Sequence, residues 1–239
     1  MKDTVIVFAR APRLGTVKRR LARDIGDRAA LRFYTATLMH LLRALARDRR
    51  FRTVVALTPD HARICLPFGA GRIPQRRGDL GERMHRACGR FRSRRVVIIG
   101  SDIPDATPND VAMAFRALGA ANAVFGPATD GGYWLVGLGP RRPARPFVSV
   151  RWSSVHALQD TRANFSAHRV ALLRTLSDVD SANDLSGFWV SRACRRTSKP
   201  QWGDAIPSCK SIRSQPACVG GWRTHSWFPC SSVGQVVSG

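Results

Sequence analysis

Asp102 lies three residues after the end of a run of four apolar residues, and this placement suits a ligand for a divalent cation. Val96–Ile99 is apolar and β-branched, as is typical of a buried parallel strand, and only Gly100 and Ser101 separate it from the carboxylate. In an open α/β sheet, ligands bind beyond the carboxyl ends of the strands. Because Mg²⁺ takes one or two carboxylates together with phosphate oxygens, we expect Asp102 to hold a metal ion against a phosphate.

A basic, glycine-containing loop follows the first predicted strand, and its residue types suit the binding of a phosphate. The segment runs from Arg10 to Leu21 and contains Gly15, Lys18 and Arg20. A loop that enters a helix presents free backbone N–H groups to an anion, and the two cationic side chains add charge. The loop has neither the Walker A nor the G-x-G-x-x-G spacing, which disfavours a P-loop NTPase and a standard dinucleotide fold. An ordinary basic turn also fits this segment.

Two further loops combine a carboxylate with glycines. Asp79 lies two residues before Gly81 at the start of a predicted helix, where a nucleotide contact and a helix cap are both consistent with the pattern. Asp130 is followed by Gly131 and Gly132 and then by an aromatic strand. Paired glycines allow a ligand to approach the backbone, while Asp-Gly is also a favoured hairpin turn. We favour a functional role for the second loop.

An acidic segment follows the last predicted strand. It contains Asp178, Asp180 and Asp184. We expect Asp178 and Asp180 to point to opposite sides of an extended backbone, so that one joins Asp102 at a metal and the other caps the next helix. A simple set of turn and cap residues explains the segment equally well.

Alternation of strands and helices must position these side chains. The predicted strands are Thr4–Ala9, Thr53–Thr58, Arg95–Gly100, Ala123–Gly126, Tyr133–Leu138 and Val170–Leu173. The predicted helices are Val17–Arg23, one from an Asp27 cap to about Asp48, Gly81–Phe91, one from a Thr107 cap to Leu118, and Ser153–Phe165. Strands and helices that alternate at this spacing predict a three-layer α/β/α fold around a mostly parallel sheet.

The charge of the chain raises an alternative of another class. The chain has 239 residues and a formal net charge of +23, which would suit a basic nucleic-acid-binding protein without catalysis. Arginine supplies 35 of the 39 basic residues, and these arginines are spread over nearly every predicted element. We therefore favour a bias of composition over a nucleic-acid surface.

The remaining composition narrows the protein class. The six cysteines form no C-x₂-C pair, which disfavours a zinc site. No apolar run has membrane-spanning length and the N-terminus lacks the features of a secretory leader, so we expect a cytoplasmic protein.

The helix and strand periods of the apolar residues end near Gly187. We expect residues 187–239 to be a poorly ordered tail, which could also arise from translation in a shifted reading frame.

The motifs in this order resemble a bacterial family. They correspond to the family's K/R-x-P-x-x-G-x-V-K-T-R-L, Q-x-x-G-D-L-G-E-R-M, G-S-D-C-P, G-P-A-x-D-G-G-Y and D-V-D-T-x-x-D-L segments. The likeness covers about residues 2–186, with Arg19, Ile103 and Ser181 in place of threonine, cysteine and threonine. The family is the GT-A-fold glycosyltransferase-like group associated with radical-SAM and arsenosugar pathways, a distant relative of the molybdenum-cofactor and phospholactate guanylyltransferases.

The resemblance implies a GT-A (nucleotide-diphospho-sugar transferase) fold and a set of site residues. It implies phosphate contacts at Gly15, Lys18 and Arg20 and a Mg²⁺ or Mn²⁺ ion held by Asp102 and Asp180. It also implies nucleotide or substrate contacts around the Asp79 and Asp130 loops, where the candidates are Asp79, Gly81, Gly131 and Gly132.

The predicted function is metal-dependent transfer from a nucleotide-sugar donor to a small-molecule acceptor. Asp102 and Lys18 would act on the phosphates, and Asp130 is the candidate general base for a hydroxyl acceptor. The alternative is a nucleotidyltransferase that joins an NMP from an NTP to a phosphorylated acceptor. Both reactions use the same donor site.

Overall fold

A computed structural model describes residues 2–91 and 94–186; the predicted tail at 187–239 lies outside the described residues. The strands are β1 (Thr4–Arg10), β2 (Arg52–Thr58), β3 (Gly71–Pro74), β4 (Val96–Gly100), β5 (Ala123–Pro127), β6 (Tyr133–Leu138) and β7 (Val170–Leu172). The helices are α1 (Arg19–Ile25), α2 (Asp27–Arg47), α3 (Leu80–Gly89), α4 (Pro108–Ala117) and α5 (Ala157–Ala163).

The seven strands form one sheet in the order β3-β2-β1-β4-β6-β5-β7. Among the described strands, β6 alone runs antiparallel to its neighbours, pairing with β4 on one side and β5 on the other. The predicted mostly parallel sheet is therefore confirmed. Since β1 and β4 are adjacent and parallel, their carboxyl ends bring Arg10 and Gly100 to the same edge of the sheet.

Helices cover both faces of the sheet, which confirms the three-layer arrangement. On one face, α2 and α4 pack against alternate residues of the central strands. The apolar stripe of α2 is buried there at Leu38, Leu41, Leu42 and Leu45. Each such side chain contributes about 1.5–3 kcal/mol when fully buried. On the other face, α3 packs with Phe147 and Phe165 against the remaining strand residues. No helix in residues 2–91 and 94–186 combines the length and the apolar character that a membrane span requires.

Three local features differ from the sequence predictions. The strand β3 was not predicted, because Gly-Arg-Ile-Pro has one apolar side chain and lies at the sheet edge. The helix predicted at Ser153–Phe165 extends only over α5, because Ser153 has a φ of 58° and residues 152–156 form turns and a bend. The cap of α2 is Gly26, and Asp27 is the first helical residue.

The predicted start of α4 is confirmed in detail. The Thr107 hydroxyl accepts a hydrogen bond from the Asp110 N–H, and the Asp110 carboxylate accepts one from the Thr107 N–H. Arg174 extends this capping box: its Nε and Nη2 donate to the two Asp110 carboxylate oxygens at 2.7 and 2.8 Å. Burial raises the pKa of Asp110, but the hydrogen bonds from Arg174 and Thr107 outweigh it, so the net pKa lies below its usual range.

The substitution Asp110→Asn is expected to lower the free energy of unfolding at pH 7 by about 1–3 kcal/mol, since it removes charged hydrogen bonds from a buried group. Because the folded-state pKa of Asp110 is depressed, its contribution is present above the unfolded pKa and is lost as the pH falls through the folded value. Urea denaturation at several pH values measures this difference. Asp27→Asn, at an exposed position, is the control, and an equal loss at pH 7 and at pH 2–3 would contradict the assignment.

Candidate active site

The loop after β1 turns Lys18 towards the sheet edge. The Arg13 carbonyl accepts hydrogen bonds from the N–H and the hydroxyl of Thr16, at 3.2 and 2.9 Å, and Gly15 takes a φ of +71°. Val17 is then buried, and Lys18 has a left-handed φ of 48° immediately before α1. A left-handed residue cannot continue a helix, so α1 begins two residues later than predicted.

Lys18 joins two distant carboxylates. Its Nζ donates to Asp102 Oδ2 at 2.9 Å and to Asp180 Oδ1 at 2.7 Å. The lysine side chain is only 4% exposed, whereas those of Asp102 and Asp180 are 38% and 40% exposed. The two carboxylates therefore present part of their surface to solvent while a buried ammonium holds them together.

A buried tyrosine aligns the ends of β1 and β4. The Tyr34 hydroxyl donates to the Arg10 carbonyl at 2.9 Å, accepts from the Arg10 N–H at 3.0 Å and lies 3.1 Å from Ser101 Oγ. Burial raises the pKa of Tyr34, so the hydroxyl keeps its proton at neutral pH. Through this group, α2 fixes both the Lys18 loop and the segment that carries Asp102.

The acidic segment after β7 completes the cluster. Leu176 pairs with Ala128 as an isolated parallel bridge, and Val179 is buried. One carboxylate oxygen from each of Asp102, Asp178 and Asp180 lies within 4.8 Å of the other two. The expectation that Asp178 and Asp180 point to opposite sides is wrong, because residues two apart along an extended backbone share a side.

A different carboxylate caps the helical turn that follows. The backbone N–H groups of Asp180 and Ser181 donate to Asp184 Oδ2 at 3.0 and 2.8 Å, and the Ser181 hydroxyl also donates to it. The Ala182 N–H donates to Asp24 Oδ2 at 2.9 Å, which ties this segment to α1. Capping therefore leaves Asp178 and Asp180 available to the cluster.

The charges of the cluster favour a divalent cation. Burial and the neighbouring negative charges of Asp180, Asp102 and Asp130 raise the pKa of Asp178 to about 6. Burial lowers the pKa of Lys18, but the Asp102 and Asp180 charges and their hydrogen bonds outweigh it, so the net pKa lies above its usual value. With the carboxylates ionised, three negative charges face one ammonium. Clustered carboxylate oxygens are the donors that Mg²⁺ and Mn²⁺ prefer, so this donor set fits such an ion.

Arg20 does not join the cluster. It is exposed on the first turn of α1 and makes no hydrogen bond or ion pair within residues 2–91 and 94–186. Gly15 is also exposed, and no heavy atom lies within 4 Å of the position that a Cβ would take there. Both residues are exposed to solvent.

The Asp130 loop is the hairpin turn between β5 and β6. The Ala128 N–H donates to the Gly132 carbonyl at 3.0 Å, and Asp130 Oδ1 accepts from the Gly132 N–H at 2.9 Å. Gly131 has a φ of +84°, and a Cβ there would collide with the backbone of Val155. Its carbonyl accepts from the Leu158 N–H, so this glycine connects the hairpin to α5.

The substitution Gly131→Ala is expected to destabilise the protein by about 2–4 kcal/mol, since it combines an unfavourable φ with a backbone collision. Gly132→Ala is the matched control, because only the Asp130 side chain lies near that position. Thermal unfolding of both variants measures the difference. Equal melting temperatures for the two variants would contradict a packing role for Gly131.

Asp79 and Gly81 lie at the start of α3, beside a cavity of about 690 Å³. Asp79 Oδ1 accepts from the Glu82 N–H at 2.8 Å and so caps the helix. A Cβ on Gly81 would lie 2.8 Å from the Phe147 carbonyl and from the Trp152 ring, which explains the need for glycine there. The helix-cap explanation for Asp79 is thus realised, and its contact with a nucleotide remains a prediction.

Sequence reasoning missed Tyr34, and it assigned only one of Asp178 and Asp180 to the metal although the structure brings both to the cluster. Asp178 was present in the acidic segment, and the alternation of side chains along an extended backbone would have placed it beside Asp180. The role of Tyr34 carries no local signal, because the residue fits the apolar stripe of α2 and its hydroxyl meets Arg10 and Ser101 only after folding.

Comparisons with known proteins agree with this fold. A family described as "Uncharacterized protein conserved in bacteria (DUF2064)" matches residues 41–154. No curated protein matches the chain. A protein of Desulfovibrio desulfuricans G20, provisionally described as a nucleotide-diphospho-sugar transferase, has 29% sequence identity and a TM-score of 0.76. That alignment covers 83% of this chain and 90% of the other.

Two cytidylyltransferase-type enzymes share the fold at lower identity. CMP:2-keto-3-deoxy-manno-octonic acid synthetase, in complex with CTP, has 12% identity and a TM-score of 0.52 over 82% of this chain and 100% of the other. The 4-diphosphocytidyl-2C-methyl-D-erythritol synthase of Anaerococcus prevotii DSM 20548 has 9% identity and a TM-score of 0.53, over 82% and 96%. The predicted fold class is confirmed, and the three similar proteins named above are described as transferases or synthetases of nucleotide-linked compounds. The association with radical-SAM and arsenosugar pathways stays a prediction.

Proposed function

We propose that this chain is a metal-dependent transferase that uses a nucleotide-diphospho-sugar donor at the cluster of Lys18, Asp102, Asp178 and Asp180. The observation that carries the proposal is the position of this cluster beyond the carboxyl ends of β1 and β4, where open α/β sheets bind ligands. The resemblance to a protein described provisionally as a nucleotide-diphospho-sugar transferase supports the donor class.

The chain's own residues divide into two roles around the donor. Asp102, Asp178 and Asp180 would hold Mg²⁺ or Mn²⁺, and such an ion, when bound, neutralises charge on a leaving diphosphate. Lys18 supplies a second positive charge for the same phosphates. Because Lys18 is buried, the attraction between its ammonium and a phosphate is stronger than it would be in water. Gly15 and Arg20 are exposed, and the proposal assigns both to the phosphates. The roles towards the nucleotide of four further residues are part of the same proposal: Asp79, Gly81, Gly131 and Gly132.

For a hydroxyl acceptor, Asp130 is the proposed general base. The acceptor oxygen bonds to the anomeric carbon, the bond from that carbon to the diphosphate oxygen breaks, and the acceptor proton passes to Asp130. The nucleoside diphosphate leaves. Asp130 is exposed at the tip of the β5–β6 hairpin, and its charge acts on Asp178, which supports a position beside the cluster.

The substitution Asp130→Asn is expected to lower kcat by about 10²- to 10⁴-fold, the usual contribution of a general base. The donor affinity should stay within about twofold, because the amide still accepts the hydrogen bond from Gly132. Steady-state kinetics with the donor found by the screen below separates the two quantities. A variant with normal kcat would exclude Asp130 as the base, and Asp27→Asn serves as the control.

Nucleotidyl transfer is the second candidate, favoured by the likeness in fold to cytidylyltransferases. In that reaction a phosphate oxygen of the acceptor bonds to the α-phosphorus of an NTP, the bond to the β-phosphate oxygen breaks, and pyrophosphate leaves. No general base is needed, because the attacking oxygen already carries the negative charge.

A thermal-shift panel of nucleoside triphosphates and nucleotide-sugars, each with and without Mg²⁺ or Mn²⁺, tests the proposal. A ligand at about a hundred times its Kd stabilises the folded state by about 2.7 kcal/mol. The donor identified in this way is then incubated with candidate acceptors. Release of nucleoside diphosphate indicates glycosyl transfer, and release of pyrophosphate indicates nucleotidyl transfer. Stabilisation by no metal–nucleotide combination would refute both.

The basic nucleic-acid-binding alternative predicts another outcome. A duplex DNA or RNA probe would bind with an affinity that falls steeply with salt and survives Asp102→Ala. Strong binding of this kind, without metal-dependent stabilisation by nucleotides, would favour the alternative over the transferase.

A further inference from the structure

Lys18 already occupies two of the three carboxylates that would bind the metal ion. Its ammonium donates to Asp102 at 2.9 Å and to Asp180 at 2.7 Å, and its side chain is 4% exposed. A charged group this buried is stable only when it is paired. In the protein alone, the pairing comes from the same oxygens that a divalent cation needs.

We propose that Lys18 is the counter-cation of the metal-free site and that it releases Asp102 and Asp180 when a divalent cation arrives with its nucleotide. This inference rests on the proposed function and deepens it. Its consequence is that the site takes the metal–nucleotide complex and binds the free metal ion weakly.

The charges explain why metal and nucleotide must bind together. Three ionised carboxylates and one ammonium carry a net charge of about –2, which a divalent cation neutralises. An ammonium that has released its carboxylates is then a buried cation without an anion, unless phosphate oxygens replace them. Binding of the free metal ion is therefore weakened by the free energy needed to unpair Lys18. The metal–nucleotide complex avoids this cost, because its phosphates pair with Lys18. This difference is a positive coupling between metal and nucleotide.

The position of Lys18 allows it to change partners. It lies outside α1, at the cap position, so the helix backbone does not depend on its side chain. Its long, flexible aliphatic stem carries a compact charge that can exchange one oxygen for another, unlike the planar fork of an arginine. The backbone N–H of Asp180 bonds Asp184, so the position of this segment does not depend on the ammonium alone.

Chemical labelling of the wild-type protein tests the release directly. The chain has four lysines, Lys2, Lys18, Lys199 and Lys210, so reductive methylation followed by peptide mass spectrometry resolves each one. We expect Lys18 to be methylated at least fivefold faster at saturating Mn²⁺ than in EDTA. The rate should fall again when ADP, CDP, GDP or UDP is added with the metal. The exposed Lys2 is the internal reference, and a Lys18 rate that does not change when Mn²⁺ binds overturns the proposal.

A substitution gives a second, independent readout. Lys18→Met removes the competing ammonium, so its affinity for free Mn²⁺, measured by electron paramagnetic resonance, is expected to rise at least tenfold. Its affinity for the Mn²⁺–nucleotide complex is expected to fall below that of the wild type. Arg19→Met removes the neighbouring, exposed charge and should change free Mn²⁺ binding by no more than twofold.

The outcomes of these experiments distinguish a failure of the counter-cation role of Lys18 from a failure of the proposed function. If the wild type binds the Mn²⁺–nucleotide complex but Lys18→Met binds free Mn²⁺ no more tightly, the counter-cation role is wrong and the proposed function stands. If the wild type binds neither free Mn²⁺ nor any Mn²⁺–nucleotide complex, the proposed function fails and this inference fails with it.

Discussion

Replacing Asp102 by alanine is expected to abolish the stabilisation of this protein by a metal and a nucleotide. Asp102 is one of the two carboxylates that bond Lys18, and one of its oxygens lies within 4.8 Å of an oxygen of each of the other two acidic side chains. Loss of this ligand removes the metal position and one partner of the lysine together. A metal–nucleotide complex that stabilises the wild type by about 2.7 kcal/mol should stabilise the variant by less than about 0.5 kcal/mol.

Thermal unfolding with Mg²⁺ and the nucleotide at fixed concentrations measures this effect. The metal-free stability of Asp102→Ala should change much less than its ligand response, because the Asp102 side chain is already 38% exposed. Asp27→Ala, an exposed acidic residue at the start of α2, controls for the change in net charge. A variant that keeps the full ligand-induced shift would place the metal and nucleotide elsewhere.

The substitution Lys18→Met is expected to reduce the metal-free stability by about 2–3 kcal/mol. The loss comes from two charged hydrogen bonds and from mutual repulsion among Asp102, Asp178 and Asp180. This value lies below the about 3–5 kcal/mol that breaking a fully buried ion pair costs, because both carboxylate partners are more than one third exposed and water screens them. In a domain of this size the loss corresponds to a fall in Tm of roughly 5–10 °C.

The loss of stability in Lys18→Met is expected to depend on pH, and the pKa of Asp178 determines the direction of that dependence. The pKa of Asp178 is already raised to about 6, and Lys18 is one of the charges that lower it. Without the ammonium the pKa rises further. A folded-state pKa above the unfolded one means that the folded protein binds more protons, so stability increases as the pH falls. The deficit of Lys18→Met should therefore shrink between pH 7.5 and 5.5 in EDTA, as measured by urea denaturation. A deficit that grows towards low pH, or one equal to that of Arg19→Met, would contradict the pairing.

The central part of the site was predictable because strand ends are predictable. An apolar β-branched run that stops at a carboxylate places that carboxylate at the sheet edge, and this argument alone located Asp102. The same argument at the first strand located the loop of Lys18, and the 2.9 Å contact between the two confirms that the loops meet. The Thr107 capping box was predictable for a similar reason, since it depends on residues only three apart.

Other parts of the site depend on information that local patterns do not carry. The hydroxyl of Tyr34 finds its partners 24 and 67 residues away, and nothing near Tyr34 in the sequence indicates them. The strand β3 has too few apolar residues to be recognised from the sequence. It forms a strand because it pairs with the neighbouring strand β2. Asp178 is different: its place beside Asp180 follows from the two-residue period, and the opposite-sides expectation misapplied that period.

The cluster also joins segments that lie far apart in the chain, since Asp102 lies 84 positions and Asp180 lies 162 positions after Lys18. During synthesis, nearly the whole domain must be made before Asp180, the second partner of Lys18, is present. Contacts of such high sequence separation are late and entropically expensive to form. Metal-dependent nucleotide binding should therefore report completion of folding, and a chain that stops after β7 would retain all seven strands of the sheet yet be unable to recognise the nucleotide.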